Sequence, residues 1–382
     1  MKVCVVGGGA SGVLAALRIK FNSKDIDVTI FEKNNKLLKK VSMTGNGRCN
    51  LGNNNISGDF FYNRQIVDEI KEMGYERKSL EFFEEIGLFT ITDSAGRIYP
   101  KSNQAITVVE LLNKELFYRG VNVRLNSNVE DIKILDDKKF KINDEIFDYV
   151  ILCIGTNAGI SNDSSTILNN LPLKKNQFKP ALVGFKVLED VSSLFGVKAT
   201  AKVTLGNRET IGEVIFKEDG INGICVMDLS LFYDGSSKDL VIDFLEDYSF
   251  EDLKKVIERK IKNDPYVHLH NIMFGSVNNK LLGYFNKNYP NVRVKALDTT
   301  VLNSYLKNFK EFKLTIADTY EIKNAQICKG GISLDEVKSF ESKKIPGLFI
   351  CGEALDVAGI CGGYNLWFAF TSGIMVADKI CK

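Results

Sequence analysis

The chain has 382 residues, 45% hydrophobic and 26% charged, and its 50 Lys and Arg are balanced by 48 Asp and Glu. That is the composition of a soluble protein with room for two or three domains. No window of about twenty uninterrupted apolar residues offers a membrane span, and no charge excess favours a polyanion, so neither membrane nor nucleic acid is expected as a partner.

The first thirty-two residues organise the rest. Lys2 to Val6 is a short apolar, β-branched run that ends in glycine, which reads as a buried strand. Gly7-Gly8-Gly9-Ala10-Ser11-Gly12 follows and fits G-x-G-x-x-G, with Gly7, Gly9 and Gly12 in the glycine slots. Val13 to Phe21 reads as a helix, and a second strand, Val28 to Phe31, ends in Glu32, twenty residues past Gly12. Each part has a mechanical reason. The first glycine permits a tight turn, the second lets a pyrophosphate approach bare backbone, and the third lets helix and strand pack closely. The helix N-terminus, at Ala10 and Ser11, offers N–H groups to phosphate, and Glu32 can accept ribose hydroxyls. Lys2 before an apolar stretch has the outline of a secretory signal, but Arg18 and Lys20 interrupt it. A cytoplasmic dinucleotide-binding protein is the expectation.

Thr44-Gly45-Asn46-Gly47-Arg48-Cys49-Asn50 is a glycine-asparagine loop that reads either as an anion nest with a fixed positive charge at Arg48 or as a plain surface turn. Ile66 to Met73, Ser79 to Ile86 and Gln104 to Tyr118 carry helical spacing, the last ending at Gly120. Val121 to Leu125 reads as a return strand, and Val129 to Ile134, Lys139 to Ile142 and Glu145 to Phe147 as a small β excursion. Tyr149 to Ile154 is a third buried strand capped by Gly155-Thr156-Asn157-Ala158-Gly159, either a glycine turn or a second cofactor contact.

The middle changes character. Ala181 to Leu188, Val197 to Leu205, Glu209 to Phe216 and Ile224 to Leu231 read as short strands separated by Gly206-Asn207, Asp219-Gly220 and Asp234-Gly235-Ser236. Phe250 to Lys262, Val277 to Phe285 and Thr299 to Phe309 read as helices. The only histidines, His268 and His270, lie two apart, a poor metal spacing on a helix. Phe312 to Ala317 and Ala325 to Cys328 read as strands of the β region, and Gly330-Gly331 as the hinge back. Leu348 to Cys351 is a fourth buried strand, followed by Gly352-Glu353, the glycine pair Gly362-Gly363 with Tyr364 and Asn365, and a last helix, Leu366 to Ile380. Eight cysteines without a C-x-x-C pair suit neither a zinc site nor a redox dithiol, so no metal is expected.

The fingerprint, Phe31-Glu32-Lys33, the Thr44 to Asn50 loop and the block from Gly347 to Gly373 resemble the YhiN/BaiN-like family of FAD-binding flavoproteins, described as NAD(P)/FAD-dependent and aminoacetone-oxidase-like oxidoreductases. The likeness spans nearly the whole chain. Departures are Asn46 in place of a glycine, Gly52-Asn53 where Thr-Asn is usual, and Cys361 where Thr is common; Asn tolerates the left-handed backbone that a glycine would adopt. The resemblance implies an α/β, Rossmann-like two-dinucleotide-binding FAD domain, residues 1–179 and 331–382. It also implies an inserted antiparallel, barrel-like β domain, residues 180–249 and 310–330, and a small helical cap, residues 250–309. Gly7, Gly9, Ala10, Ser11, Gly12, Glu32, Lys33 and Val129 would hold the adenosine diphosphate half. Gly45, Asn46, Gly47, Arg48, Cys49, Asn50, Gly155, Gly352, Glu353, Gly362, Gly363, Tyr364 and Asn365 would also bind the cofactor, Arg48 at a phosphate or at the ring edge and Glu353 through ribityl hydroxyls. The N–H groups of the glycine pair would meet the anionic edge of the reduced ring.

The flavin would carry hydride chemistry on a small-molecule substrate, and the insertion would set specificity. NADH or NADPH as transient donor, or oxygen, would be the other redox partner, although no second G-x-G-x-x-G marks a nicotinamide domain. Tyr364, Arg48, Arg97 and Cys361 are the candidates for a general acid, and the sequence does not choose among them. An RNA-modifying flavoprotein and a redox-sensing flavoprotein without turnover are the alternatives.

Overall fold

The computed structural model describes residues 1–156, 158 and 166–382. They form two compact units, Met1–Lys179 with Ile327–Lys382, and Pro180–Gln326.

The first unit is built on a seven-stranded sheet. Strands β1 (Lys2–Val6), β2 (Asp27–Phe31), β3 (Asn122–Arg124), β4 (Tyr149–Leu152) and β5 (Leu348–Ile350) are parallel, in the order β5-β4-β1-β2-β3. Val337–Lys338 and Glu341–Ser342 add an antiparallel edge beside β5. Val3 to Val6 in β1 and Val150 to Leu152 in β4 are inaccessible, as strands covered on both faces must be. Helix α1 (Ala10–Asn22) connects β1 to β2, and helix α2 (Tyr364–Ile380) packs on α1. Gly373 makes that contact possible, because a Cβ there would lie 2.3 Å from the Ser11 carbonyl oxygen. Helix α2 is apolar nearly all round and buried accordingly. Its Trp367 is fully buried, with its indole N–H donating to Glu76 O at 2.8 Å.

The second unit is a closed six-stranded antiparallel barrel of Phe185–Val187, Gly220–Asn222, Arg208–Phe216, Lys198–Leu205, Asp239–Asp243 and Phe312–Thr319. The helices Phe250–Asn263, Asn279–Asn286 and Thr299–Lys310 do not form a separate cap. Their Leu253, Ile257, Phe285, Leu306 and Phe309 share one apolar core with Phe216, Leu240 and Leu314 of the barrel.

Two expectations about the elements are corrected. Ile224–Phe232 is a helix and not a strand. Gly223, at φ 116°, turns the chain out of the preceding strand, and the apolar run lies against Arg208–Phe216 with Cys225, Val226 and Leu229 inward. A short apolar run carries no period that separates the two states. Ile327–Ile332 pairs with Lys175–Ala181 and not with the barrel, so the chain rejoins the first unit before the glycine pair. Gly330 and Gly331 are strand residues at φ 108° and 113°, with no room for a Cβ beside Gln177 O or Ala354 O. His268 stands at the N-cap of the short helix Leu269–Ile272, His270 lies within it, and the two rings meet backbone carbonyls, at Asn291 and Tyr289 respectively.

Candidate cofactor site

The fingerprint loop is shaped by contacts a side chain would destroy. Gly7, at φ 106°, runs against the end of β4, where a Cβ would lie 2.4 Å from Cys153 O. A Cβ at Gly12 would lie 2.1 Å from Gly7 O, so the first turn of α1 sits directly on the loop. A Cβ at Gly9 would meet nothing within 4 Å. Gly9 therefore faces open space beside a helix N-terminus with no side-chain cap and no acidic residue in its first turn. Those N–H groups are available to an anion.

Glu32 is buried at 8% exposure. Its Oε2 accepts from Gly8 N–H at 2.7 Å, and its Oε1 accepts from the Asn34 backbone N–H and side-chain amide at 2.8 and 2.5 Å. A carboxylate has about four acceptor directions, so one remains for a hydroxyl. The segment that leads to Val129 is tied to the same place, Ser127 N–H donating to Glu32 O and Asn126 N–H to Asn34 O. Lys33 is exposed.

A second cluster forms around Glu353, just past β5. Gly352, at φ 60°, lies on α1, its Cβ position 2.8 Å from Ser11 Oγ. Glu353 Oε2 accepts from Lys40 Nζ at 2.9 Å and Thr156 Oγ1 at 3.0 Å, and the Cβ position of Gly155 is 4.0 Å from it. The Cys328 thiol borders this group. Burial pushes its pKa up, the Glu353 charge adds to that, and Thr156 and Lys40 oppose it. Sequence reading missed Lys40 and Cys328, and took Thr156 only as part of a cap. Asn157 and Gly159 of that cap lie outside the described residues.

The third part joins the two ends of the unit. Gly45 and Asn46 are consecutive left-handed residues at φ 58° and 55°, so Asn46 holds the conformation of the glycine it replaces. Gly47 and Cys49 are left-handed too. Arg48 closes this loop through Gly45 O at 3.2 Å and lies over the Tyr99 ring at 4.5 Å. Beyond it, Gly52 and Asn53 pair with Ile98 and Arg97. Asn53 Nδ2 donates to Gly362 O at 3.1 Å. Gly363, at φ 99°, presses on the same strand, its Cβ position 2.4 Å from Gly52 O and 2.6 Å from Asn50 Oδ1. That Asn50 Oδ1 is buried and has no hydrogen-bond partner among the described residues. A buried acceptor without a donor is costly unless a ligand supplies one. An N–H of a heterocyclic ring fits this need.

Several expected contacts have other work. The Cys49 thiol is inside the core, and burial drives its pKa to about 12, so it offers neither a nucleophile nor a ready donor. The Asn365 amide is spent on Gly359, accepting from its N–H at 2.7 Å and donating to its carbonyl at 2.8 Å. The Tyr364 ring is wedged against Phe60 and Phe61, with centroids at 5.0 and 5.9 Å. Arg97 is paired with Asp93 at 2.8 Å. Cys361 is half-buried in the glycine turn. These placements single out no general acid.

Comparison with known proteins follows the same outline. The family described as HI0933-like protein Rossmann domain matches residues 1–379. The chain is 33% identical, over 98% of its length and 97% of the relative's, to a 3-dehydro-bile acid delta(4,6)-reductase of Clostridium scindens. It is 24% identical, over 98% of its length and 97% of the relative's, to a ribosomal RNA dihydrouridine synthase of Escherichia coli. Among solved structures, 3-ketosteroid delta1-dehydrogenase from Sterolibacterium denitrificans shares the fold, with a TM-score of 0.52, 13% identity and 99% of each chain covered.

Proposed function

This chain belongs to the HI0933-like Rossmann-domain family, the FAD-binding flavoprotein family that its motifs resemble, and we propose that it reduces a carbon–carbon double bond conjugated to a carbonyl in a small organic molecule. FAD, when bound and reduced by NADH or NADPH, would supply the hydride. The first turn of α1, open at Gly9, would hold the diphosphate, and Glu32 the adenosine ribose. Glu353, with Thr156 beside it, would hold the ribityl chain. Asn50 and the Gly362-Gly363 turn would hold the ring. The observation that carries this reading is the unpartnered, buried Oδ1 of Asn50 beside Gly363, an acceptor waiting for a ring N–H at the meeting point of the two ends of the unit.

The reaction class is supported by the relatives. A delta(4,6)-reductase of a 3-dehydro acid and a dihydrouridine synthase both, by name, saturate a double bond beside a carbonyl. A small molecule is favoured over RNA by the higher identity to the former and by charge. Pro180 to Gln326 carries 19 Lys and Arg against 20 Asp and Glu, with no basic excess to hold a phosphate backbone. No helix among the described residues is long and apolar enough to cross a membrane.

The test is anaerobic. FAD-loaded protein is mixed with NADH or NADPH, bleaching of the flavin is followed, and steroid-type enones, simple cyclic enones or ribosomal RNA are then added. Reduction by a nicotinamide and reoxidation by an enone is the expected result. Reoxidation by RNA alone would move the assignment to RNA, and failure of every donor to bleach the flavin would favour a protein without turnover.

A further inference from the structure

Lys40 belongs neither to the fingerprint nor to the C-terminal glycine block, yet it bridges them. Leu38 N–H donates to Gly8 O at 2.8 Å, and the Leu37 side chain fills the space beside Gly8, so the segment before Lys40 is pinned to the fingerprint loop. Lys40 then reaches the other cluster, with Nζ 2.9 Å from Glu353 Oε2. The circuit closes through Gly352, which rests on Ser11 in the first turn of α1. Gly8, Leu38, Lys40, Glu353, Gly352 and Ser11 thus form a ring of contacts beside Gly9, whose own Cβ position is open for 4 Å.

The side chains of Lys40 and Glu353 are 38% and 18% exposed, and a pair this accessible adds little to folding. An ammonium has three donors, and Glu353 takes one. The others are left over, and the ring of contacts that holds Lys40 includes Ser11 in the first turn of α1, whose uncapped N–H groups favour negative charge. We propose that Lys40 is a diphosphate-recognition residue, sharing its donors between a phosphate oxygen and Glu353 and so locking the two halves of the cofactor site together as FAD enters. The inference rests on the FAD reading above.

Titration of FAD into apoprotein tests it, with affinity as the readout. Lys40→Gln raises Kd about tenfold, the worth of one charged hydrogen bond, and Lys40→Arg restores most of the affinity. A role confined to neutralising Glu353 is separated by a cycle. In a Glu353→Gln background the Lys40→Gln step still costs about tenfold if Lys40 meets phosphate. The affinity of wild-type protein also weakens more steeply with salt than that of Lys40→Gln. Wild-type affinity in Lys40→Gln, or a loss that vanishes once Glu353 is neutral, overturns the proposal. Wild-type protein that does not bind FAD at all overturns the functional reading itself.

Discussion

The two lobes of the proposed cofactor site are made differently. The fingerprint lobe is local: Gly7, Gly9, Gly12 and Glu32 fall within one β-α-β unit, with backbone crowding at Gly7 and Gly12 and short-range hydrogen bonds at Glu32. The lobe at Glu353 and Gly363 is assembled from pieces far apart in the chain. Thr156 and Glu353 are 197 positions apart, Asn53 and Gly362 309, and Lys40 and Glu353 313. The first lobe rests on contacts between near neighbours in the chain, the second on polar pairs and close backbone contacts, such as Gly363 on Gly52, that exist only once the unit has folded. Substitutions in the two should therefore fail differently, by steric strain in one and by lost or gained partners in the other.

The sharpest break is Gly12→Ala. Its Cβ would lie 2.1 Å from Gly7 O and 3.0 Å from Val5, and backbone there has nowhere to go. It should cost about 2–3 kcal/mol in denaturant unfolding and leave the purified protein without flavin. Glu32→Gln comes next, because a side-chain NH₂ would face the Gly8 or Asn34 donors. A loss of about 1–3 kcal/mol in unfolding and a tenfold rise in the Kd of FAD are expected.

Asn50→Leu sharpens the contrast through its sign. Removing a buried acceptor that has no partner should leave apoprotein stability unchanged or slightly higher, while FAD affinity falls about tenfold. Thermal unfolding with and without FAD measures both, and an apoprotein destabilised as strongly as Gly12→Ala would remove the distinction. The smallest effect concerns pH. The Cys49 and Cys225 thiols have ordinary values of 9.0 and are pushed to about 12 by burial. The unfolded chain loses those protons first, so stability should fall as pH rises from about 9 towards 12 and be unaffected by these groups below that window. Alkylation near neutral pH should accordingly spare Cys49 and Cys225 until the protein unfolds, and mass spectrometry after native labelling checks it.

The same contrast explains what the sequence made legible. The strand, glycine turn, helix and acid of the first lobe are adjacent, and each residue type announces its task. The role of Asn46 could be read too, since few residues other than glycine hold φ 55°. Lys40 could not be found, because a lysine among Lys36, Lys39 and Lys40 has no local mark that sends it to Glu353. Cys49 and Asn365 sit within the motif but face the core and the Gly359 backbone, a direction that spacing does not specify. In the inserted unit, Lys198–Leu205 showed its alternation. Ile224–Phe232 did not declare itself, because an apolar run of nine residues serves a helix lying on a barrel as well as a strand within one.

Whether the two lobes hold one molecule is settled most directly by adding FAD to purified protein, removing the excess by gel filtration, and measuring flavin absorbance per chain. Wild-type protein should retain one FAD, and Gly12→Ala and Gly363→Ala, altered at opposite ends of the chain, should each retain none. A colourless wild type would overturn the FAD reading itself, and full retention by Gly363→Ala would mean that the far end of the chain takes no part in the grip.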